Sequence, residues 1–348
     1  MSDHSKPTDT TTTEPATPKE AVAEHGETVE TTIKSVKITK EQTAKLQQLV
    51  SLLPQILKEI DNQEYDEIFG WRINVADKEH VDVGVRNEIL LKFLIAHEYD
   101  VQATKAKLVK TLNWRNEFQP LSAAFDEVFT KELADLGVIT YFKDLDNHNL
   151  KVATWNLYGN LKSPKKIFEK YGSGAGEDDE LRPGSQFLRW RIGLMEKSLG
   201  LIDFTDPHNS KIGQVHDYKG VSMFKIDPGM KAATKEIVTI FGDNYPELLS
   251  TKFFVNVPSL MGWVFTFFKK LGVISAATLK KFQVMNHGDL SPWFGKSRLP
   301  AVYGGDNEKV KLIFELEAAQ SVKVSAYGEI LLKKLGDKQI AAVNDDVE

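Results

Sequence analysis

Residues 244–282, NYPELLSTKFFVNVPSLMGWVFTFFKKLGVISAATLKKF, are the stretch that decides the fold class of this chain. The segment FFVNV is apolar on both faces, which is typical of a central strand in a sheet covered on both sides. Trp263 and the apolar residues that follow it up to Phe268 cover nearly the whole circumference of a predicted helix. This helix is either fully buried or a mobile lid over an apolar cavity that touches a membrane, with Lys269 and Lys270 at the headgroups.

The segments on either side alternate between strand-like and helical patterns. VITYFKD, LKVATWNLY and IGQVHDYKG are typical of strands, whereas FLRWRIGLMEKSLGLID and KAATKEIVTIFGDNYPELL are typical of helices. This alternation predicts an α/β domain with a largely parallel sheet. Upstream, apolar residues spaced at threes and fours over residues 39–120 predict a small all-helical unit.

The two ends of the chain differ from this middle part in composition. The first 38 residues are rich in Thr, Glu, Pro, Lys and Ala, and the first aromatic residue is Tyr65. Such a segment cannot bury enough apolar surface to offset its ordering entropy. We therefore expect a disordered tail at 1–38, a helical module at 39–125, an α/β domain at 126–306 and a C-terminal extension at 307–348.

Composition excludes several functional classes. The 348 residues contain no cysteine, which excludes disulfide scaffolds, thiolate metal sites and cysteine nucleophiles. A formal charge of −5 argues against sequence-independent binding of nucleic acid. The apolar run LMGWVFTFF is about half the length that a membrane-spanning helix needs, and the N-terminus lacks the features of a signal peptide. We expect a soluble, cytoplasmic protein.

No catalytic motif emerges from the sequence. The glycine cluster GSGAG at 172–176 is followed by acidic residues that would repel phosphate. The chain has no P-loop, serine-hydrolase elbow or zincin helix, and its eight histidines lack metal-ligand spacing. We therefore predict that the protein is not an enzyme and has no catalytic residues.

Taken together, these segments resemble a known family. LLKFLIAHEYDVQATKAKLVKTLNWR is similar to the N-terminal module of the CRAL-TRIO family, and residues 244–282 with the later LPAVYGG resemble its lipid-binding domain and gating helix. The resemblance covers about residues 60–306. It implies a CRAL-TRIO lipid-binding fold with an all-helical N-terminal module, and a lipid-exchange protein related to the fungal phosphatidylinositol transfer proteins.

The resemblance also implies a headgroup site. In that branch, an acidic residue after Tyr-Pro pairs with a lysine beyond the gate near the inositol ring; Glu247 and Lys281 match these positions. Thr278 matches a threonine that contacts the phosphate. A buried carboxylate and ammonium stay charged only when paired, and their spare acceptors and donors suit an inositol ring. A plain ion pair is the alternative interpretation.

A second group of residues lies around VHDYKG. His216 and Tyr218 are two apart on a predicted strand, so both side chains point to one face while Asp217 points away. A histidine and a phenol in an apolar cavity are costly unless they find partners. From the pattern alone, hydrogen bonding within the cavity accounts for both residues.

The chain further resembles the non-classical, haem-binding fifth-homologue branch of the yeast phosphatidylinositol transfer proteins, in which a strand tyrosine is the axial ligand. Carried over by position, Tyr218 would ligate the iron of haem b (heme b), with His216 beside it. Arg191 and Lys252 would neutralise the phenolate or the propionates. Tyrosinate is a known axial ligand of haem iron.

The sequence thus predicts a non-classical phosphatidylinositol-binding and transfer protein that also binds haem through a tyrosinate, linked to phosphoinositide homeostasis and oxidant stress. The alternatives are a dedicated haem-binding or sensing protein with little lipid transfer, and a peroxidase-like haem enzyme. The predicted partners are phosphatidylinositol and, through peripheral contact, membranes. The expected location is the cytoplasm with association to endoplasmic reticulum or microsomal membranes.

Overall fold

The computed structural model describes most of the chain and provides the cavity on which the function depends. The predicted gating helix at 263–268, Thr278 and most of the glycine-rich loop lie outside the described residues. The described residues are 29–147, 149–172, 183–221, 227–258 and 279–345.

The N-terminal module is built mainly from helices, as the periodicity predicts. Its longest helix begins after Thr39, whose side chain accepts a hydrogen bond from the backbone N–H of Gln42 while the Gln42 side chain caps Thr39 in return. A two-stranded hairpin interrupts the helices, so the expectation of an all-helical unit is wrong at this point. The sequence pattern did not reveal the hairpin because strands of two residues have no detectable period. The elements are α1 (Val29–Thr32), α2 (Lys40–Glu59), β1 (Glu67–Ile68), β2 (Trp71–Arg72), α3 (Val83–Ala96), α4 (Val101–Phe118) and α5 (Pro120–Phe125).

Residues 29–38, which the sequence places in the disordered tail, pack against this module. Val29 is 8% exposed and Thr32 is 1% exposed. The backbone N–H groups of Lys34 and Ser35 donate to the buried Glu88 carboxylate at 2.7 and 2.8 Å. The predicted boundary at 38 is therefore wrong, because one buried acid and a few apolar contacts order a segment of polar composition.

The α/β domain contains a five-stranded sheet. Its order is β3-β4-β5-β6-β7; the first pair is antiparallel and the other three are parallel, which confirms the predicted largely parallel sheet. The strands are β3 (Gly137–Tyr141), β4 (Val152–Leu157), β5 (Ile212–Asp217), β6 (Leu249–Val255) and β7 (Phe282–Val284). The helices of this domain are α6 (Lys131–Ala134), α7 (Pro164–Tyr171), α8 (Gln186–Leu199), α9 (Pro228–Asn244) and α10 (Ser291–Phe294).

The two faces of the sheet have different roles because side chains alternate along each strand. On one face, Trp155 and Phe253 pack against Phe294 at ring-centroid distances of 5.8 and 5.7 Å. On the other face, residues such as His216 and Phe254 line a cavity beneath α8 and α9. One face therefore forms a solid core, and the opposite face forms the wall of a ligand site.

The C-terminal extension packs back onto the N-terminal module. It ends in helix α11 (Ala326–Asp345), and the Tyr327 hydroxyl donates to the Asp66 carboxylate next to β1. Within the described residues, no helix combines the length and the apolar character needed to cross a bilayer.

Candidate functional site

The cavity between the sheet and helices α8 and α9 encloses about 420 Å³, within the range of small-molecule sites. Its lining is mainly apolar, and the charged side chains around it, with some of their polar neighbours, form two groups. We call Tyr158, Arg191, His216, Tyr218 and Lys252 the Tyr218 cluster. We call Glu247 and Lys281, which line the cavity, together with Lys92 and Lys211, which interact with Glu247, the Glu247 cluster.

Strand register brings the Tyr218 cluster together. Asn156 on β4 pairs with His216 on β5, so Tyr158 and Tyr218 follow the two strands at the same level. Their ring centroids are 5.2 Å apart. His216 and Tyr218 both line the cavity, whereas Asp217 on the opposite face accepts a hydrogen bond from the Tyr303 hydroxyl at 2.7 Å. The expectation that His216 and Tyr218 share a face is confirmed.

One ring nitrogen of His216 has no hydrogen-bond partner among the described residues. Its Nδ1 lies 3.0 Å from the Tyr158 hydroxyl, whereas its buried Nε2 has no hydrogen-bond partner among the described residues. Burial, followed by the charges of Lys252 and Arg191, holds the pKa of His216 well below its ordinary value, so the ring is neutral. With Tyr158 donating to Nδ1, the single ring proton lies on Nε2.

Arg191 and Lys252 place two cationic groups beside this ring. Arg191 is 3% exposed; its Cζ lies 4.9 Å from the Phe241 ring centroid, and its Nη1 has no hydrogen-bond partner among the described residues. The Lys252 Nζ lies 5.5 Å from the Phe254 ring centroid. Burial, with the charge of Arg191, lowers the pKa of Lys252 to about 7. Both groups are therefore held at an electrostatic cost.

The Tyr218 phenol is also costly to ionise. Burial, followed by the neighbouring Tyr158, raises the pKa of Tyr218 well above its ordinary value. No hydrogen bond of its hydroxyl is found within the described residues, and its ring packs on Phe254 at a centroid distance of 6.3 Å. In the absence of a strong positive partner, Tyr218 is a neutral phenol facing the cavity.

The Glu247 cluster is more accessible to water and is held by ion pairs. The Glu247 Oε2 atom lies 3.3 Å from Lys281 Nζ and 3.6 Å from Lys211 Nζ. The side chains of Glu247, Lys281 and Lys211 are 28%, 24% and 32% exposed, respectively. Burial alone would raise the pKa of Glu247, but the two lysines outweigh burial and lower it. Glu247 is therefore a carboxylate at neutral pH.

Lys92 supports Glu247 from the N-terminal module. Its buried Nζ donates to the backbone carbonyls of Ser210 at 3.0 Å and Glu247 at 3.4 Å. Burial, together with Lys211, lowers the pKa of Lys92 to about 7. Glu247 itself has a φ of 52°, in the left-handed region that non-glycine residues rarely adopt. Strain of this kind persists where surrounding contacts fix it, often at functional sites.

All the predicted site residues except Thr278, which lies outside the described residues, line this one cavity. They are Arg191, His216, Tyr218, Glu247, Lys252 and Lys281.

The sequence pattern does not single out three residues of the two clusters, Tyr158, Lys92 and Lys211. Tyr158 directly follows β4 at the level of Tyr218, a relation that needs the β4–β5 register. Lys92 carried a signal, because it is a lone charge in the apolar run LLKFLIA, but Lys211 carried none.

Comparison with known proteins agrees with this architecture. Residues 170–305 match the model of the CRAL/TRIO domain. A Scheffersomyces stipitis protein named phosphatidylinositol transfer protein SFH5 is 65% identical over 322 residues, which cover 92% of this chain and 97% of the relative. The Candida albicans protein of the same name is 63% identical, covering 92% of this chain and 98% of the relative. A solved structure titled "Crystal structure of Sfh5" aligns with a TM-score of 0.75 at 34% identity, covering 87% of this chain and all of that one.

The fold and the cavity define a class of α/β protein that combines a helical N-terminal module with a mainly apolar cavity between its sheet and helices α8 and α9. The chain belongs to the CRAL-TRIO family, among the relatives named phosphatidylinositol transfer protein SFH5. The family and the fold implied by residues 244–282 are thereby confirmed.

Proposed function

We propose that the protein binds phosphatidylinositol and transfers it between membranes, and that it is not an enzyme. The observation that carries this proposal is the Glu247 cluster, a carboxylate held between lysines at the accessible edge of a mainly apolar cavity. Relatives 65% and 63% identical are named phosphatidylinositol transfer proteins. The apolar lining suits acyl chains, and the charged edge suits a polar headgroup.

The chemistry of the cluster matches an inositol phosphate headgroup. Glu247 retains lone pairs that can accept hydrogen bonds from ring hydroxyls, while Lys281 and Lys211 retain donors for hydroxyls or for the phosphodiester. Thr278, outside the described residues, matches by its position in the sequence the threonine that contacts the phosphate in the family. A plain ion pair needs only one lysine, whereas two lysines pair with this carboxylate and a third, Lys92, donates to the Glu247 backbone carbonyl. This excess of positive charge favours an anionic ligand over a purely structural role.

Substitution of Lys281 tests the proposal. Lys281→Ala is expected to reduce transfer of radiolabelled phosphatidylinositol between phosphatidylcholine vesicles at least tenfold, because one charge-assisted contact is worth about 1.5–3 kcal/mol. Lys280→Ala, at the exposed neighbouring lysine, is the matched control and should transfer normally. Undiminished transfer by Lys281→Ala would overturn the headgroup assignment.

We propose haem b as a second ligand, because the Tyr218 cluster fits its polar groups. Tyr218 would be the axial ligand with His216 beside it, and Arg191 and Lys252 would face the phenolate or the propionates. The orphaned Nη1 of Arg191 and Nε2 of His216 support this fit. A bound haem b supplies a Lewis-acidic, redox-active iron. Iron bound to Tyr218 would be the strong positive partner that its ionised form needs.

The absorption spectrum of protein purified without added haem tests this second ligand. We expect a Soret band near one equivalent that Tyr218→Phe removes and that Tyr141→Phe, at an exposed tyrosine, leaves intact. A colourless, folded wild-type protein would contradict the assignment. The dedicated haem-binding or sensing alternative predicts the band with little lipid transfer, whereas a peroxidase-like enzyme predicts peroxide turnover well above that of free haem.

We propose a cytoplasmic location with peripheral contact to endoplasmic reticulum or microsomal membranes, in phosphoinositide homeostasis and the response to oxidants. Fractionation of cells is the test. High salt should release the microsomal share of the protein, because peripheral contacts between charged groups are screened. A share that remains after a high-salt wash would contradict a peripheral electrostatic contact.

A further inference from the structure

The cations of the Tyr218 cluster have no acidic counterpart among the described residues that line the cavity. Among the described lining residues, Glu247 is the sole carboxylate, and it is already paired with Lys211 and Lys281. Neither Arg191 nor Lys252 forms an ion pair within the described part of the chain. This arrangement leaves an excess of positive charge in an apolar enclosure.

Such an arrangement is costly without a ligand. A guanidinium remains charged in proteins, and charges buried without partners carry large desolvation penalties. Among the described residues, two buried polar atoms of the cluster lack a hydrogen-bond partner, Arg191 Nη1 and His216 Nε2, and Lys252 lines the same cavity without an ion pair. Hydrocarbon chains cannot satisfy these groups. A ligand group that accepts several hydrogen bonds and carries negative charge would.

We propose that the Tyr218 cluster is a carboxylate site that takes the head of a free long-chain fatty acid. Arg191 and Lys252 would pair with the carboxylate, and His216 would donate a further hydrogen bond. This ligand class goes beyond phosphatidylinositol and does not require haem.

The lining beyond the cluster indicates the rest of the ligand. Leu161, Phe168 and Phe187 belong to the buried apolar group beside the cluster, and Ile237 and Phe241 line the cavity from α9. A hydrocarbon chain fits this surface, whereas acetate or another short acid would bury too little apolar area to bind firmly. The combination of an anionic head and an apolar body selects fatty acids among carboxylates.

Calorimetric titration of delipidated, haem-free protein tests the proposal. Oleate is expected to bind at one equivalent and at least tenfold more tightly than oleyl alcohol, which has the same hydrocarbon chain without the charge. Lys252→Met and Arg191→Met should each weaken oleate binding about tenfold while leaving oleyl alcohol unchanged. Lys280→Ala is the surface-lysine control. Equal affinities for acid and alcohol, or full oleate binding by folded Lys252→Met, would overturn the proposal.

Haemin is the second ligand to titrate, because its propionates are also carboxylates. Haemin binding that requires Arg191 and Lys252, with no oleate binding to the haem-free protein, would assign the two cations to propionates alone and overturn the proposal. Lys281→Ala is expected to retain oleate binding. The oleate test can therefore be interpreted even if the assignment of phosphatidylinositol to the Glu247 cluster fails. Thermal melts of each variant identify any that fail to fold. Lys252→Met is expected to fold because it replaces a partly accessible side chain with one of similar length.

Discussion

The two polar clusters of the cavity differ in how their buried charges are paired. In the Glu247 cluster, a carboxylate lies between two lysines whose side chains keep 24% and 32% of their surface exposed. In the Tyr218 cluster, Arg191 and His216 are 3% and 5% exposed, and no acid pairs with the cations within the described part of the chain. The charges of the first cluster are paired without a ligand, whereas the second gains most from one. The difference indicates that the pairing of charge within the protein, rather than cavity shape alone, distinguishes the two clusters.

The largest expected effect follows from reversing one charge in the Tyr218 cluster. Lys252→Glu would pair with Arg191 and give this cluster the acid that it lacks. We expect affinity for oleate to fall roughly a hundredfold, since two interactions of about 1.4 kcal/mol each are lost. Titration calorimetry measures the loss. Transfer of phosphatidylinositol should persist, and parallel loss of both activities in a folded variant would contradict the separation of the two clusters.

A smaller effect is expected from removing the acid of the Glu247 cluster. Glu247→Gln keeps the size of the side chain but leaves the lysines without their counter-charge. Vesicle assays should show phosphatidylinositol transfer reduced about tenfold, equivalent to about 1.4 kcal/mol. Glu236→Gln, an exposed glutamate on α9, is the control. Oleate binding should be unchanged. A loss of oleate affinity would show that the two clusters act as one site.

The pH dependence of stability should distinguish Lys252 from surface lysines. Its pKa of about 7 in the folded protein is far below the unfolded value, so between pH 7 and 9.5 the unfolded chain binds more protons. The free energy of unfolding of the ligand-free protein should therefore rise with pH, with Lys252 contributing about 1 kcal/mol per pH unit. Urea unfolding of Lys252→Met should show a shallower rise, whereas Lys280→Met should match the wild type. An unchanged slope in Lys252→Met would contradict the lowered pKa.

The smallest expected effect concerns Tyr158. Tyr158→Phe removes the 3.0 Å hydrogen bond to His216 and leaves the Nδ1 of a buried ring unsatisfied. Urea denaturation should show a loss of about 1 kcal/mol in the free energy of unfolding. Tyr141→Phe serves as the exposed control. An equal stability of both variants would show that Tyr158 does not hold His216 in place.

Much of this architecture follows from local pattern. The doubly apolar β6 and the alternation of strands and helices predict a covered, largely parallel sheet, and the period of two places His216 and Tyr218 on one face. The hairpin of β1 and β2 and the packing of residues 29–38 escape such reasoning. Two-residue strands have no period, and the ordering of that segment depends on Glu88, more than 50 residues away.

The sequence by itself determined the fold class and the residue types of the cavity, because periodicity and composition are properties of neighbouring residues. Only the tertiary structure decided which charges meet. The Tyr218 cluster brings together Arg191 of α8, His216 of β5 and Lys252 of β6, with Tyr158 from the turn after β4. Lys92 reaches Glu247 across 155 positions of the chain. Burial and pairing of charge depend on such distant contacts, so the imbalance between the two clusters becomes visible only in the folded molecule.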